Sequence, residues 1–209
     1  MAYSDFTFER LESDLRITIG EADLYSSVKI IEPSGLLEEV LKENIPLGLA
    51  INTEKARSEL IISPVLVEFR KFMEHKISLF SGIEFNIAPE KGLNGVCDFM
   101  ISASSTQVLL AAPIIQIVEA KNENIKNGIP QCIAEMCAAR IFNERKKIPS
   151  PVVYGVVTTG SSWKFMQLEG NKAIIDSMEY FIDNPGKILG ILYDMTNRIS
   201  VINTVLFGN

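Results

Sequence analysis

The spacing of apolar residues changes several times along the chain, and each change marks an element. Between 53 and 76, Leu60, Ile61, Val65, Leu66, Phe69, Phe72 and Met73 recur at helical spacing. Ser63-Pro64 falls inside this stretch. The pair either opens a second helix as N-cap and first-turn proline, or Pro64 kinks one long helix. Three strand-like segments follow. Ile83–Ala88 alternates weakly, Gly95–Ser102 is apolar apart from Asp98, and Pro113–Val118 is apolar apart from Gln116. From Gly128 to Lys147, apolar residues at Ile129, Ile133, Met136, Cys137 and Ile141, with the Arg140 stem, form one face of an amphipathic helix. Val152–Thr159 is a continuous β-rich run, the signature of a buried central strand. Trp163–Leu168 alternates after a Gly-Ser-Ser turn, and a last helix is predicted over Pro185–Ile199. Ahead of all this, residues 1–52 read as a mixed α/β arm. It has short strands at Arg16–Ile19 and Val28–Ile31 and a helix over Gly35–Glu43, interrupted by Pro46 and Gly48. Helix, three strands, helix, two strands predicts an α/β layered domain over 53–209, with a mixed central sheet flanked by helices and a C-terminal helix. The arm and this domain are expected to form one compact unit.

Composition narrows the class. The chain has 209 residues, 47% hydrophobic and 22% charged, which suits a single globular domain and excludes disordered, collagenous and coiled-coil chains. The longest apolar run, Val108–Ile115, is broken by Pro113 and falls short of the ~18–20 residues of a membrane helix. The opening MAYSDFTFERLESD has no apolar core of a signal peptide. No membrane partner is expected. Three cysteines, Cys97, Cys132 and Cys137, are an odd number and point to reduced thiols and a cytoplasmic protein. A formal net charge of −6 argues against a surface wholly devoted to nucleic acid, yet leaves room for a local basic lining. The single histidine, His75, argues against His-rich metal sites and Ser-His-Asp or Cys-His mechanisms. Catalysis, if present, falls to carboxylates, lysine and metal.

Three Glu-x-Lys triplets occur: Glu74-His75-Lys76, Glu119-Ala120-Lys121 and Glu144-Arg145-Lys146. The first and third lie in polar helical stretches and read as solvated faces. The second is delivered by an apolar strand. Residues two apart on a strand share a face, so Glu119 and Lys121 project together, and Asp98 can stand opposite them on the neighbouring strand. Such a set suits phosphodiester hydrolysis. Converging carboxylates bind Mg²⁺ (or Mn²⁺), and a lysine beside them orients water and counters developing charge.

The order Gly95-x-x-Asp98, then Glu119-x-Lys121, then a helix carrying Gln131, resembles the PD-(D/E)XK nuclease superfamily. The stretch Arg57-Ser58-Glu59-Leu60-Ile61-Ile62-Ser63-Pro64-Val65-Leu66 is similar to the opening helix of the nuclease domain of type I restriction subunits. The resemblance covers about 53–170 and implies a restriction-endonuclease-like αβββαβ core. It implies Asp98 and Glu119 as Mg²⁺ ligands, the Ala120 carbonyl completing the shell, and Lys121 and Gln131 as catalytic partners. An acid from the first helix is implied too. Glu59 is the choice, with Glu54 and Glu68 as rivals; Glu59 and Glu68 are nine residues apart, about 180° around a helix, so at most one faces the metal. Cys97 stands where the family pattern has proline.

Other features have simpler readings. Cys132 and Cys137, five apart on a helix, read as core. Gly155-x-x-x-x-Gly160-Ser161-Ser162 lacks the phosphate-loop lysine and leads into a strand. Trp163 reads as core or hairpin packing. Lys126 and Arg140, the latter in a run with Arg145, Lys146 and Lys147, are the candidate contacts to a nucleic-acid backbone. Ile188–Leu192 and Val201–Phe207 suit a homodimer interface or core packing equally. The leading expectation is a Mg²⁺-dependent DNA endonuclease. The alternative is a catalytically silent member of the same fold used for binding.

Overall fold

The computed structural model describes residues 1–148 and 150–207, with side chains described as far as residue 199. Its elements are α1 (Phe8–Leu15), β1 (Thr18–Ala22), α2 (Gly35–Ile51), α3 (Glu54–Arg57), α4 (Ser63–Phe72), β2 (Ser78–Glu84), β3 (Val96–Ser102), β4 (Ile114–Ala120), α5 (Ile125–Arg145), β5 (Val152–Thr158), β6 (Ser162–Glu169), β7 (Lys172–Asp176), β8 (Tyr180–Phe181) and α6 (Pro185–Phe207). The strands form one eight-stranded mixed sheet in the order β1-β7-β6-β5-β4-β3-β2, with β8 paired to β6. The chain is thus α/β, with helices on both faces. β2, β3 and β4 run antiparallel, and α5 carries the chain over the sheet from β4 to β5, which lie parallel. Tight turns join β5 to β6 at Gly160 and β6 to β7 at Gly170, both in the left-handed region that glycine adopts without strain.

The sheet separates two cores. On one face α2, α4 and α6 bury Leu41, Leu66, Phe69 and Leu192 against Phe99, Ile115 and Phe165. On the other, α5 buries Ile133, Met136 and Ala138 against Met100, Ile117 and Val157. The β3–β4 ladder shifts register between Ile101 and Ser102, so Ile114 and Ile117 serve one core while Ile115 and Val118 serve the other. Trp163 is fully buried and donates from its indole nitrogen to Gly160 O at 2.9 Å. The three cysteines are free and buried.

Several expected boundaries shift. The strand expected at Arg16–Ile19 starts later and runs further: Arg16 is the left-handed cap of α1, and β1 covers Thr18–Ala22. Val28–Ile31 is a strap rather than a strand, pinned to α6 by Ile31 N donating to Gly186 O and by Lys187 Nζ donating to the carbonyls of Tyr25, Ser26 and Val28. α2 runs through Pro46 and Gly48 to Ile51, because Gly48 lies against Ile61, where a Cβ would meet that side chain at 3.2 Å. Ser63 is not the N-cap of a separate helix: α4 begins at Ser63 with Pro64 in its first turn, and Ile62 before it is already helical. The path from Glu54 to Phe72 stays helical and widens into a π-turn over Ser58–Ile62 immediately before Pro64, which absorbs a residue lacking an N–H. β2 lies earlier than Ile83–Ala88, and β7 and β8 are additional strands. The last helix extends past Ile199; the side chains of Val201–Phe207 lie outside the described residues. Residues 1–52 contribute Leu11 and Ile17 to one core and Tyr25, Leu37 and Leu41 to the other, besides the edge strand β1. Among the described residues no helix is long and apolar enough to cross a membrane.

Candidate active site

β3 and β4 pair with Phe99 opposite Val118 and Met100 opposite Ile117. One further step along that register sets Asp98 across from Glu119. Met100 and Ile117 belong to the α5-side core, so Asp98 and Glu119, each two residues from them, point to the same side. Asp98 Oδ2 accepts a hydrogen bond from Ala120 N at 2.8 Å, which fixes its carboxyl at the end of β4. Lys121 leaves β4 still in line with β5, its amide donating to Thr158 O at 2.8 Å. Its ammonium donates to Glu119 Oε1 and, at 3.3 Å, to Gln131 Oε1. Gln131 Nε2 in turn donates to Glu135 Oε1 at 3.1 Å. Gly128 makes the approach of α5 possible. A Cβ there would stand 2.6 Å from Val157 Cγ1 and 3.1 Å from Lys121 Cγ, so only glycine lets the helix lie on the lysine stem.

α3 supplies the acid from the other side. Glu54 Oε2 stands 3.9 Å from Lys121 Nζ. Arg57 holds this short helix in place by donating to Thr159 O at 2.7 Å and to Asn52 Oδ1 at 2.9 Å. Glu59, the expected first-helix acid, is not brought to the cluster. Its side chain is 61% exposed and pairs with Lys55 at 2.7 Å. Glu59 lies on the π-turn over Ser58–Ile62, where it is turned outward. Glu68 is engaged elsewhere, accepting from Ser34 N at 2.9 Å.

The structure therefore gathers Asp98, Glu119, Lys121 and Gln131, with Glu54, one of the rival first-helix acids, and Glu135, which the sequence does not single out. Ala120 takes part through its amide. Lys126 and Arg140 are not part of this group. Lys126 lines a separate groove of about 530 Å³ with Phe8, Ile19, Ile129 and Lys164. Arg140 donates to Asn171 Oδ1 at 3.2 Å and stands nine residues from Gln131, about 180° around α5. Arg145 donates to Ile87 O at 2.6 Å, so this end of the basic run is bound to its own chain.

Charge is the defining property of the cluster. Four carboxyls, Glu54, Asp98, Glu119 and Glu135, face one ammonium. Burial, then the neighbouring Asp98, pushes the Glu119 carboxyl up from 4.5 to about 8. Burial also raises Asp98, against the lowering effect of the Ala120 amide and Lys121. Glu135 is raised well above the usual carboxylate range by burial and by Glu119. Burial raises Glu54 as well, with Lys121 opposing. Burial alone would pull Lys121 down; Glu119, Glu54 and Asp98 outweigh it, and the net shift is upward. The Glu119 carboxyl adds to the effects that lower Asp98, while Asp98 raises Glu119. With both ionised, Glu119 Oε2 is a buried acceptor with no donor, and Glu135 Oε2 is another.

Among the described residues, no three His, Cys, Asp or Glu side chains are set to enclose a metal ion. The Lys121 ammonium sits on Glu119 where a cation would draw the carboxylates together. The donor set nevertheless fits a hard divalent cation. Asp98 and Glu119 offer oxygen only, and the unpartnered Glu119 Oε2 has a free coordination site.

Glu135 escapes sequence reasoning because α5 has no polar face at that point. Every residue from Gly128 to Ala139 except Gln131 is buried, so the helical period that separates inside from outside is lost. The available signal is an acid four residues after Gln131 in the otherwise apolar stretch Cys132–Ala139. Comparison with models of protein families, with curated proteins and with solved structures gives no match to this chain.

Proposed function

We propose that the chain is a Mg²⁺-dependent nuclease of the PD-(D/E)XK type, acting on DNA. The observation that carries this reading is the convergence of Asp98, Glu119 and Lys121 on one sheet face, across adjacent antiparallel strands, with Gln131 on the following helix. The chain order α4, β2, β3, β4, α5, β5 supports it, since it matches the αβββαβ core of a restriction-endonuclease-like fold. Asp98 and Glu119 would hold the metal. Bound there, Mg²⁺ supplies charge neutralisation at the phosphate and acidifies a bound water. Lys121 donates hydrogen bonds from a fixed ammonium and balances negative charge that develops at phosphorus. Gln131 holds that ammonium from the side of α5. Water attacks phosphorus and the ester P–O bond breaks, leaving a phosphate and an alcohol.

The test is plasmid and single-stranded DNA incubated with Mg²⁺, Mn²⁺, Ca²⁺ or chelator, with Asp98→Ala and Glu119→Ala purified in parallel. Cleavage that needs Mg²⁺ or Mn²⁺ and is lost in both variants supports the proposal. Cleavage that survives in both would assign the activity to a contaminant. One observation favours a second reading, a silent binding module of the same fold: Lys121 already pairs with Glu119 and, among the described residues, no three ligands enclose an ion. A rise in melting temperature with Mg²⁺ that Asp98→Ala abolishes, without cleavage of any nucleic acid, would favour that module.

A further inference from the structure

We propose that Glu135 is a positioning residue: it fixes the orientation of the Gln131 amide, and through it the place of the Lys121 ammonium. The proposal deepens the nuclease reading and rests on it for its catalytic consequence. Glu135 is fully buried on α5, within the apolar stretch Cys132–Ala139, an expensive place for an acid. Nothing structural repays that cost. Its Oε2 has no hydrogen-bond partner, and the Tyr3 hydroxyl, another buried polar group, donates to Phe85 O. Its hydrogen bond is the one from Gln131 Nε2.

That bond resolves an ambiguity built into glutamine. The two ends of a side-chain amide have nearly the same shape, but one donates and the other accepts. Lys121 carries only donors, so the amide atom facing it must be oxygen. An amide turned the other way would set N–H groups against an ammonium. Glu135 presents an acceptor on the far side and makes the productive orientation the stable one. Four residues apart on α5, Gln131 and Glu135 share a face, so the helix itself keeps the pair in register. The chain Glu135–Gln131–Lys121–Glu119 is then continuous from the buried helix to the strand.

The experiment compares Glu135→Leu, Glu135→Gln, Gln131→Ala and the double variant Glu135→Leu/Gln131→Ala. Leucine removes the acceptor while filling the buried space. Glutamine keeps an acceptor oxygen and should rescue. Three readouts separate positioning from packing. First, the side-chain amide resonance of Gln131, identified by its loss in Gln131→Ala, should move and exchange faster in Glu135→Leu and stay in place in Glu135→Gln. Second, Glu135→Leu should melt no lower than wild type, because a buried acid has been replaced by an apolar side chain. Third, its kcat should fall about 10–100-fold with KM unchanged, the usual cost of losing a supporting partner. That loss should vanish in the Gln131→Ala background, whereas Glu135→Gln keeps most of the rate. A Gln131 resonance unmoved by Glu135→Leu overturns the proposal, as does a rate loss that persists undiminished without Gln131. If wild type cleaves no nucleic acid, the nuclease reading fails, and the amide resonance alone decides whether Glu135 orients Gln131.

Discussion

Two kinds of buried acid lie on or against the same sheet. Asp176, at the end of β7, is fully buried and fully used. Its Oδ1 accepts from Leu24 N and Met178 N, both at 3.2 Å, and its Oδ2 from the Tyr180 hydroxyl at 3.0 Å. Glu119 and Glu135 are as deeply buried, yet each keeps an oxygen with no donor and shares its surroundings with other carboxyls. Asp176 is a clip that joins the strap after β1 to the turn before β8. A buried acid that binds every donor around it has no capacity left for a ligand; one that leaves an oxygen open has been kept at a cost the fold does not need. Burial alone therefore does not mark a functional acid; the unmet acceptors are what make Glu119 and Glu135 the candidates.

The sharpest test of this contrast removes the counter-charge. Lys121→Ala leaves the acids of the cluster without their ammonium, and cleavage should fall on the order of 10²–10³-fold, measured as kcat on a plasmid substrate. Asp176→Ala should do the reverse. Three donors lose their acceptor, so chemical denaturation should show a loss of about 2–4 kcal/mol while cleavage by the folded fraction stays at the wild-type rate. A lowered rate in folded Asp176→Ala would erase the distinction between the two acids.

Acidity offers a gentler probe. Glu119 keeps its proton to about pH 8 in the folded chain and loses it near 4.5 when unfolded. Between those values the folded state binds more protons, so stability falls as pH rises. In chelator, the melting temperature should decline across that window, and Glu119→Gln should flatten the decline. Mg²⁺ should flatten it too, by stabilising the ionised form. A melting temperature that rises with pH in chelator would contradict the raised acidity of Glu119. The smallest effect belongs to the helical acids. Glu59→Ala removes only an exposed pair with Lys55 and should change stability by less than about 0.5 kcal/mol and leave cleavage unchanged, while Glu54→Ala should alter the rate. Equal effects of the two would remove Glu54 from the site.

What the sequence made legible follows from how each residue is buried. Asp98 and Glu119 interrupt apolar strands, where a charged side chain stands out, and Lys121 shares the strand face of Glu119; Gln131 was reached through the resemblance to the nuclease pattern. The strands at Gly95–Ser102, Val152–Thr159 and Trp163–Leu168 were legible for the same reason: long β-rich runs admit few alternatives. The bounds of β1 and the existence of β7 were not, since Thr18–Ala22 and Lys172–Asp176 are short, incompletely buried segments that gain strand character from pairing with each other. Glu54 and Glu59 were confused because the π-turn over Ser58–Ile62 shifts the helical phase, so a pattern read from Leu60 to Met73 does not extend back to residue 54. Pro46 misled because a proline breaks an isolated helix more readily than one held by packing.

The pairing of β1 with β7 also sets a timetable. Thr18 lies beside Lys172, so the two partners are 154 positions apart in the chain. At cellular synthesis rates of about 5–20 residues per second, β1 waits roughly 8–30 s after emerging before its partner exists. Ile17, which ends beneath this edge in the α5-side core, has no finished core to enter during that interval. Closing so distant a contact is slow relative to local pairing, which makes the edge of the sheet farthest from the candidate site the last to be completed. The β2–β3–β4 hairpins and α5 assemble from neighbours in sequence. The acidic cluster can therefore be in place on the ribosome while the opposite margin of the molecule is still waiting for its closing strand.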